Sequence, residues 1–325
     1  MKKIKPFIFA VLVAIATYTV FLKFSELKKI ATLLTQGNYF FLLAALACQT
    51  IAYLFIGKSY KTIVEGFTDI VIRLGIFCKT AIVMMFLNQA LPSMGISSNA
   101  YFFSNLKKKG VQAGKGIFLV IFNLIVLYTS YLFSIMTVVA YLLARGNLSS
   151  LQLTATIIMA AGTLALIIVL GFLTRKISRI RKMLKLLSIF LPIGLIDADK
   201  IAQELFTSKS QIAQEKKVYF KAVFLRMSSF AFECGTIYMI FLAFKITPSF
   251  IAIATAYLMA HLFALITFMP GGLGVFETTM ILTLRGFGAT LEAALMITLI
   301  YRGFAFWLPM PLGLWLYRHQ GKENS

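Results

Sequence analysis

Long apolar runs separated by short basic segments dominate the chain. Six of these runs are continuous and long enough to cross a bilayer as single helices, at residues 6–24, 39–57, 117–143, 152–173, 218–243 and 291–316. A transmembrane helix needs about 20 mostly apolar residues to cross a hydrocarbon core of about 30 Å. We therefore predict an all-α polytopic membrane protein with six full spans, built as a single transmembrane domain over residues 1–325.

Two further apolar runs, residues 74–104 and 249–287, are each interrupted by proline and glycine. The first breaks at residues 91–95 (LPSMG) and the second at residues 270–274 (PGGLG). Proline removes a backbone donor, glycine loosens a helix, and unpaired backbone groups cost several kcal/mol each in lipid. Such a break is tolerated where protein or a water-filled cavity surrounds it. We therefore predict a cavity at the second break and interpret both runs as re-entrant broken helices.

The distribution of Lys and Arg assigns sides to these segments. Basic residues mark both termini and the loops 58–73, 105–116 and 174–217 as cytoplasmic, because short cytoplasmic loops are enriched in Lys and Arg. All sides agree if the first broken run enters from the cytoplasm and the second from outside. The halves 1–145 and 152–318 then form an inverted-topology repeat, as in secondary transporters. The alternative is that both breaks are ordinary kinks in a helical bundle.

The formal net charge of +21 affects the choice of partners. On a soluble protein it would suggest nucleic acid, but here 60% of the residues are hydrophobic and the basic residues lie between the apolar runs. In that position they set topology and meet anionic lipid headgroups. We expect membrane lipids as partners, with anionic headgroups at the cytoplasmic face, and no nucleic acid.

Two segments allow a second interpretation. The lysine-rich start precedes an apolar run that continues to Leu22, which favours a retained first span over a cleaved leader. The connection 174–217 places apolar residues at helical spacing among Lys and Arg. It predicts an amphipathic helix on the cytoplasmic surface, and a plain basic linker is the alternative.

Few residues suit conventional catalysis. The chain has no HExxH, CxxC, P-loop or GxSxG pattern, so we predict no catalytic residue, metal or cofactor, and a transporter rather than an enzyme. His261 stands alone on an apolar run, and we expect it to be packed.

Ionisable residues at membrane depth are more informative, because they usually face a cavity or a partner. They are Arg226, Glu233, Glu277 and Arg302.

These charges suggest a site for a lipid phosphate. After each break a new helix begins with unpaired N–H groups and a positive dipole end. At the second break Arg302 can contact the phosphate, while Glu277 orients Arg302 or exchanges a proton; the alternative is an internal ion pair that fixes two helices. Arg226 and Glu233 are seven residues apart on one helix face, about 10 Å from each other. The predicted substrate-binding residues are Asn88, Pro92, Gly95, Ser97, Ser98, Asn99, Arg226, Glu233, Pro270, Gly271, Gly272, Gly274, Glu277 and Arg302.

Three of these features together resemble a known family. The PGGLG motif followed by Glu277, the earlier break at residues 88–95 (NQALPSMG) and Arg302 in the last span are similar to the lysylphosphatidylglycerol synthase transmembrane family, also called flippase-like integral membrane proteins. The resemblance spans nearly the whole chain. It departs from the family pattern at residues 96–101, after the first break.

The resemblance implies a function and a location. It implies translocation of a phospholipid or a polyprenyl-phosphate-linked lipid across the cytoplasmic (inner) membrane by a multi-pass protein with both termini in the cytoplasm. The alternative is a membrane subunit that supports a separate glycosyltransferase or aminoacyl-lipid synthase. The chain ends at Ser325, soon after the last span, and we expect no soluble transferase domain.

Overall fold

The computed structural model describes residues 32–91, 95–145, 215–266 and 270–320, with scattered positions between 153 and 168. In these residues every regular element is helical, which confirms the predicted all-α class. The α-helices are α1 (Tyr39–Phe67), α2 (Leu74–Ala90), α3 (Ile96–Lys108), α4 (Ala113–Arg145), α5 (Lys216–Ala243), α6 (Phe250–Ile266), α7 (Val275–Gly286), α8 (Leu291–Arg302) and α9 (Pro309–Gln320). A 3₁₀ turn, Pro270–Gly272, precedes α7, and a π turn, Gly303–Trp307, joins α8 to α9.

Some predicted features lie outside the described residues. They are the first span at 6–24 with its leader alternative, Pro92, and the connection 174–217 as far as residue 214. Of the predicted span 152–173, the structure describes only scattered positions. The 58–73 loop was predicted too long, because α1 stays helical to Phe67.

Three helical stretches within the described residues are long and apolar enough to cross a membrane: Tyr39–Phe67, Ala113–Ala144 and Leu291–His319. The third includes α8, the π turn and α9. Helix α5 has 28 residues but carries Arg226 and Glu233 in its apolar part, which lowers its hydropathy. The number of spans stays a prediction.

Both interrupted runs break where the proline and glycine residues predict. The first run is a 17-residue helix, α2, and a 13-residue helix, α3. The second is a 17-residue helix, α6, and a 12-residue helix, α7. Gly95 and Gly274, which stand directly before the second arms, both have φ of 84°, in the left-handed region that favours glycine. The re-entrant paths and the inverted repeat stay predictions.

The described helices belong to two compact units. Unit 1 is drawn from Met1–Ile51, Ile82–Ser98 and Ala231–Ser325, and unit 2 from Ala52–Ala81 and Asn99–Phe230. Large buried aromatic side chains fill both cores: Phe241, Tyr257, Tyr301 and Phe306 in unit 1, and Phe102 and Phe122 in unit 2. Each unit takes residues from both halves of the chain, and the half-repeats 1–145 and 152–318 stay a prediction.

Glycines allow close approach between helices in both units, as is common in membrane proteins. In unit 2, a Cβ on Gly57 would lie 2.7 Å from Cys78 Sγ, and one on Gly66 would lie 2.6 Å from Val218. In unit 1, a Cβ on Gly313 would lie 2.4 Å from Phe86 Cβ and 3.1 Å from the Ile82 carbonyl oxygen. The end of α2 is therefore packed directly on α9.

The contact at Gly313 generates a stability prediction. Gly313→Ala places a methyl group against the stem of Phe86, so the two helices must separate, and we expect a loss of about 1–3 kcal/mol in the free energy of unfolding. Gly75→Ala is the matched control, because Gly75 also lies in a helix but faces open space. It should leave stability unchanged or raise it by about 0.5–1 kcal/mol. Thermal unfolding in detergent measures both, and equal unfolding midpoints would contradict the packing described.

Candidate functional site

Glu277 bridges two elements of the second break. It lies in the first turn of α7, where its Oε2 accepts a hydrogen bond of 2.7 Å from the backbone N–H of Gly274. Its other oxygen, Oε1, accepts a hydrogen bond of 2.7 Å from Arg302 Nε. A carboxylate at this position satisfies a helix N-terminal donor and opposes the positive end of the helix dipole. One side chain thus holds the start of α7 against the end of α8.

Arg302 joins the last helical stretch to the turn that precedes α7. Its side chain is 8% exposed, and its Nη2 donates a hydrogen bond of 3.1 Å to the carbonyl oxygen of Gly271. Its Cζ lies 4.9 Å from the ring centroid of Phe276 and 4.2 Å from that of Phe306. The internal ion pair that the sequence left as an alternative is therefore present, and aromatic rings shield it from solvent.

The three glycines of the motif have different surroundings. A Cβ on Gly271 would lie 2.3 Å from a ring carbon of Phe306, and one on Gly272 would lie 2.4 Å from Ala264 Cβ. Both glycines have positive φ, 58° and 64°. Phe306 and Ala264 thus fill the space that a side chain would take at these two positions, which accounts for the glycines there. Gly274 instead borders open space.

The π turn after Arg302 links the second break to the first. Within the turn the Leu308 N–H donates to the Gly303 carbonyl at 2.9 Å, an i→i+5 bond. In a regular helix the Ala305 carbonyl would accept the N–H of residue 309, but proline has none. Gln89, near the end of α2, donates to that carbonyl from Nε2 at 3.1 Å. The segment 302–307 therefore contacts both interrupted runs.

Glu233 is a buried carboxylate of unit 1. It is 4% exposed, and its Oε2 accepts hydrogen bonds of 2.8 Å from the hydroxyls of both Tyr257 and Tyr301. His261 packs on Tyr257 with ring centroids 4.2 Å apart and meets Phe276 edge-on at 5.0 Å. His261 is packed, as expected. This aromatic cluster extends from Glu233 to Phe276, which also contacts Arg302.

At the first break the structure describes the surroundings of several of the predicted polar residues. Ser98 is buried at the start of α3, and its hydroxyl donates to the Gly95 carbonyl at 2.9 Å rather than accepting from a backbone N–H. Asn88 is exposed, whereas Ser97 and Asn99 are half-buried. The side chain of Pro270 lies outside the described residues.

A comparison with known families identifies the family of the chain. The chain matches the family described as the lysylphosphatidylglycerol synthase TM region over residues 7–313. The chain belongs to this family. The resemblance predicted from the break motifs and Arg302 is thus confirmed, and the protein is membrane-embedded.

Archaeal relatives extend the comparison. A UPF0104 membrane protein of Methanocaldococcus jannaschii is 24% identical over 298 residues, which is 88% of this chain and 87% of the relative. A UPF0104 membrane protein of Methanothermobacter thermautotrophicus is 34% identical over 89 residues, 27% of each chain. These relatives are named as membrane proteins, without a substrate or a reaction.

Within this member of the lysylphosphatidylglycerol synthase TM family, sequence reasoning missed four residues of the site. They are Gln89, Tyr257, Tyr301 and Phe306. Gln89 had a local signal, since it is a polar residue just before a break in an apolar run, and Pro309 follows Ala305 at the spacing that leaves a carbonyl without its helical donor. The tyrosines and Phe306 had none, because aromatic residues are common in apolar spans.

The hydrogen bond between Gln89 and Ala305 generates a coupling prediction. Gln89→Leu removes the hydrogen bond of 3.1 Å to the Ala305 carbonyl, and the loss of one such hydrogen bond costs about 0.5–1.5 kcal/mol. Pro309→Ala supplies a backbone N–H that can replace it. The second substitution should therefore stabilise the protein more in the Gln89→Leu background than in the wild type, with a coupling of about 1 kcal/mol. A double-mutant cycle of thermal unfolding in detergent measures this, and strict additivity would contradict it.

Proposed function

We propose that this protein translocates the headgroup of a phospholipid or a polyprenyl-phosphate-linked lipid across the membrane. One observation carries the proposal: the Glu277 carboxylate occupies the position between a helix N-terminal N–H and an arginine. These two donors are the ones that proteins use most readily to bind a phosphate. The carboxylate holds the site in the absence of substrate, and a lipid phosphate competes for the same donors.

The exchange of partners supplies a mechanism. When a phosphate accepts from Arg302 and from the Gly274 N–H, Glu277 loses both of its described hydrogen bonds. The open space at Gly274 gives the phosphate room that Gly271 and Gly272 do not offer. The acyl or prenyl tail stays in lipid while the headgroup crosses.

The contacts of the π turn couple this exchange to the first broken run. Arg302 directly precedes the turn, Phe306 in the turn fills the space beside Gly271, and Gln89 donates to Ala305. A π turn is weaker than a regular helical turn and often lies at functional positions. Movement of Arg302 toward a phosphate therefore shifts the contact that α2 makes just before the first break.

The proposal predicts which charges matter for transport. In proteoliposomes, Arg302→Ala and Glu277→Gln should each slow the translocation of fluorescent phosphatidylglycerol or of a polyprenyl phosphate by at least about tenfold, since a charge-assisted hydrogen bond contributes about 1.5–3 kcal/mol. The matched controls are Arg285→Ala and Glu292→Gln, which change the same residue types at exposed positions.

Purified protein alone is the right sample for this assay. Glu277→Gln keeps the shape of the side chain, so a normal unfolding temperature shows that a loss of transport is not a loss of folding. Full activity in both site variants would refute the proposal. Wild-type protein that is inactive until a transferase is added would favour the alternative, a membrane subunit of such an enzyme.

We also propose that the second broken run enters and leaves on the outer face of the cytoplasmic membrane and that both chain termini face the cytoplasm. The support is the distribution of basic residues. Lys245→Cys before α6 and Ala289→Cys after α7 should then both react with a membrane-impermeant maleimide on intact cells. Lys109→Cys should react only after permeabilisation. Labelling of Lys245→Cys without Ala289→Cys would show a full crossing instead of a re-entrant path.

A further inference from the structure

Arg226 is a buried arginine of unit 2 whose described partners are neutral. It lies on α5 and is 4% exposed. Its Nη2 donates a hydrogen bond of 3.1 Å to Asn123 Oδ1, and its Cζ lies 4.8 Å from the ring centroid of Tyr60. Its Nε is buried without a hydrogen-bond partner among the described residues.

No carboxylate among the described residues forms an ion pair with Arg226. Within the described part of unit 2 the acidic residues are Glu65, Asp69 and Glu215. Glu65 pairs with Lys61 at 2.8 Å, and the other two are exposed at helix ends. Removing an unpaired cation from water costs several kcal/mol, whereas Arg302 offsets that cost with Glu277. Among the described residues of unit 2, Arg226 thus has no anionic partner.

The position of Arg226 on α5 indicates which anion is available. Lys216, Lys217 and Lys221 are exposed at the start of this helix, where lysines mark the level of lipid headgroups. Arg226 follows Lys221 by five residues, about 7.5 Å along the helix axis. Lipid phosphates therefore lie within reach of a guanidinium at this depth, and its planar fork suits their oxygens.

We propose that Arg226, supported by Asn123 and Tyr60, binds the phosphate group of a membrane lipid. The guanidinium supplies the charge, and the aromatic ring of Tyr60 backs it on one side. The amide of Asn123 offers both a donor and an acceptor, so it can contact Arg226 and the phosphate together. This site lies in unit 2 and does not rest on the proposed transport function, whose residues belong to unit 1.

The test measures binding in detergent, without any transport. Delipidated protein is titrated with short-chain phosphatidylglycerol, with diacylglycerol of the same chain length and with inorganic phosphate, and the unfolding temperature is followed. Phosphatidylglycerol should stabilise the wild type and diacylglycerol should not. Arg226→Gln should weaken the apparent affinity for phosphatidylglycerol about tenfold or more, whereas Arg73→Gln, the same change at an exposed position of unit 2, should not.

A second variant, which adds a negative charge beside Arg226, keeps the test decisive if Arg226→Gln folds poorly. Asn123→Asp places a carboxylate of nearly the same shape at the existing 3.1 Å contact and provides an internal counterion for Arg226. It should raise the unfolding temperature of the lipid-free protein and remove the part of the stabilisation by phosphatidylglycerol that depends on Arg226. Asn123→Asp should reduce this stabilisation by the same amount in a Glu277→Gln background as in the wild type, which separates this site from the proposed transport site.

Three outcomes would overturn the proposal. The first is equal stabilisation by phosphatidylglycerol and diacylglycerol. The second is stabilisation by inorganic phosphate without any stabilisation by phosphatidylglycerol. The third is an unchanged affinity for phosphatidylglycerol in Asn123→Asp, which would mean that the lipid binds elsewhere.

Discussion

The contact between Glu277 and Arg302 solves a problem that the membrane sets for a broken helix. Backbone groups exposed at such a break cannot be satisfied by lipid, so the protein must supply partners. Glu277 accepts the N–H of Gly274 at the start of α7, and Arg302 donates to the carbonyl of Gly271 on the other side of the break. The ion pair fixes the positions of the Glu277 carboxylate and the Arg302 guanidinium, which are the two groups that hydrogen-bond to the backbone at the break. The packing of Phe276 and Phe306 around Arg302 depends on the same pair.

At the π turn a side-chain amide, rather than an ion pair, supplies the partner that a backbone group needs. Pro309 deprives the Ala305 carbonyl of its helical donor, and the Gln89 amide from the other broken run occupies that acceptor. Polar groups shared between segments couple them more tightly than apolar contact does, because separating them exposes unsatisfied atoms. The two breaks of unit 1 thus both contact the short stretch from Arg302 to Ala305.

The buried charged residues of the two units have different kinds of partner. In unit 1, Arg302 has a carboxylate partner and Glu233 has two tyrosine hydroxyls. In unit 2, Arg226 has an amide and an aromatic ring. Burial of an ion is tolerated when its charge is compensated, and of these two arginines only Arg302 has a carboxylate partner among the described residues.

The amino-acid sequence by itself determined the class of this protein and the places where its helices fail. Apolar runs, proline and glycine act locally, so they showed that α2 ends before residue 91 and that α6 ends before Pro270. They also showed that Glu277 and Arg302 carry charge where charge is expensive. Tertiary structure alone decided which groups meet. Gln89 and Ala305 form a hydrogen bond although they are far apart in the chain. The two tyrosines that donate to Glu233 lie on two other helices. Gly271 faces Phe306 rather than open space. Such pairings depend on how helices that are distant in the sequence pack together, and local sequence patterns do not determine that packing.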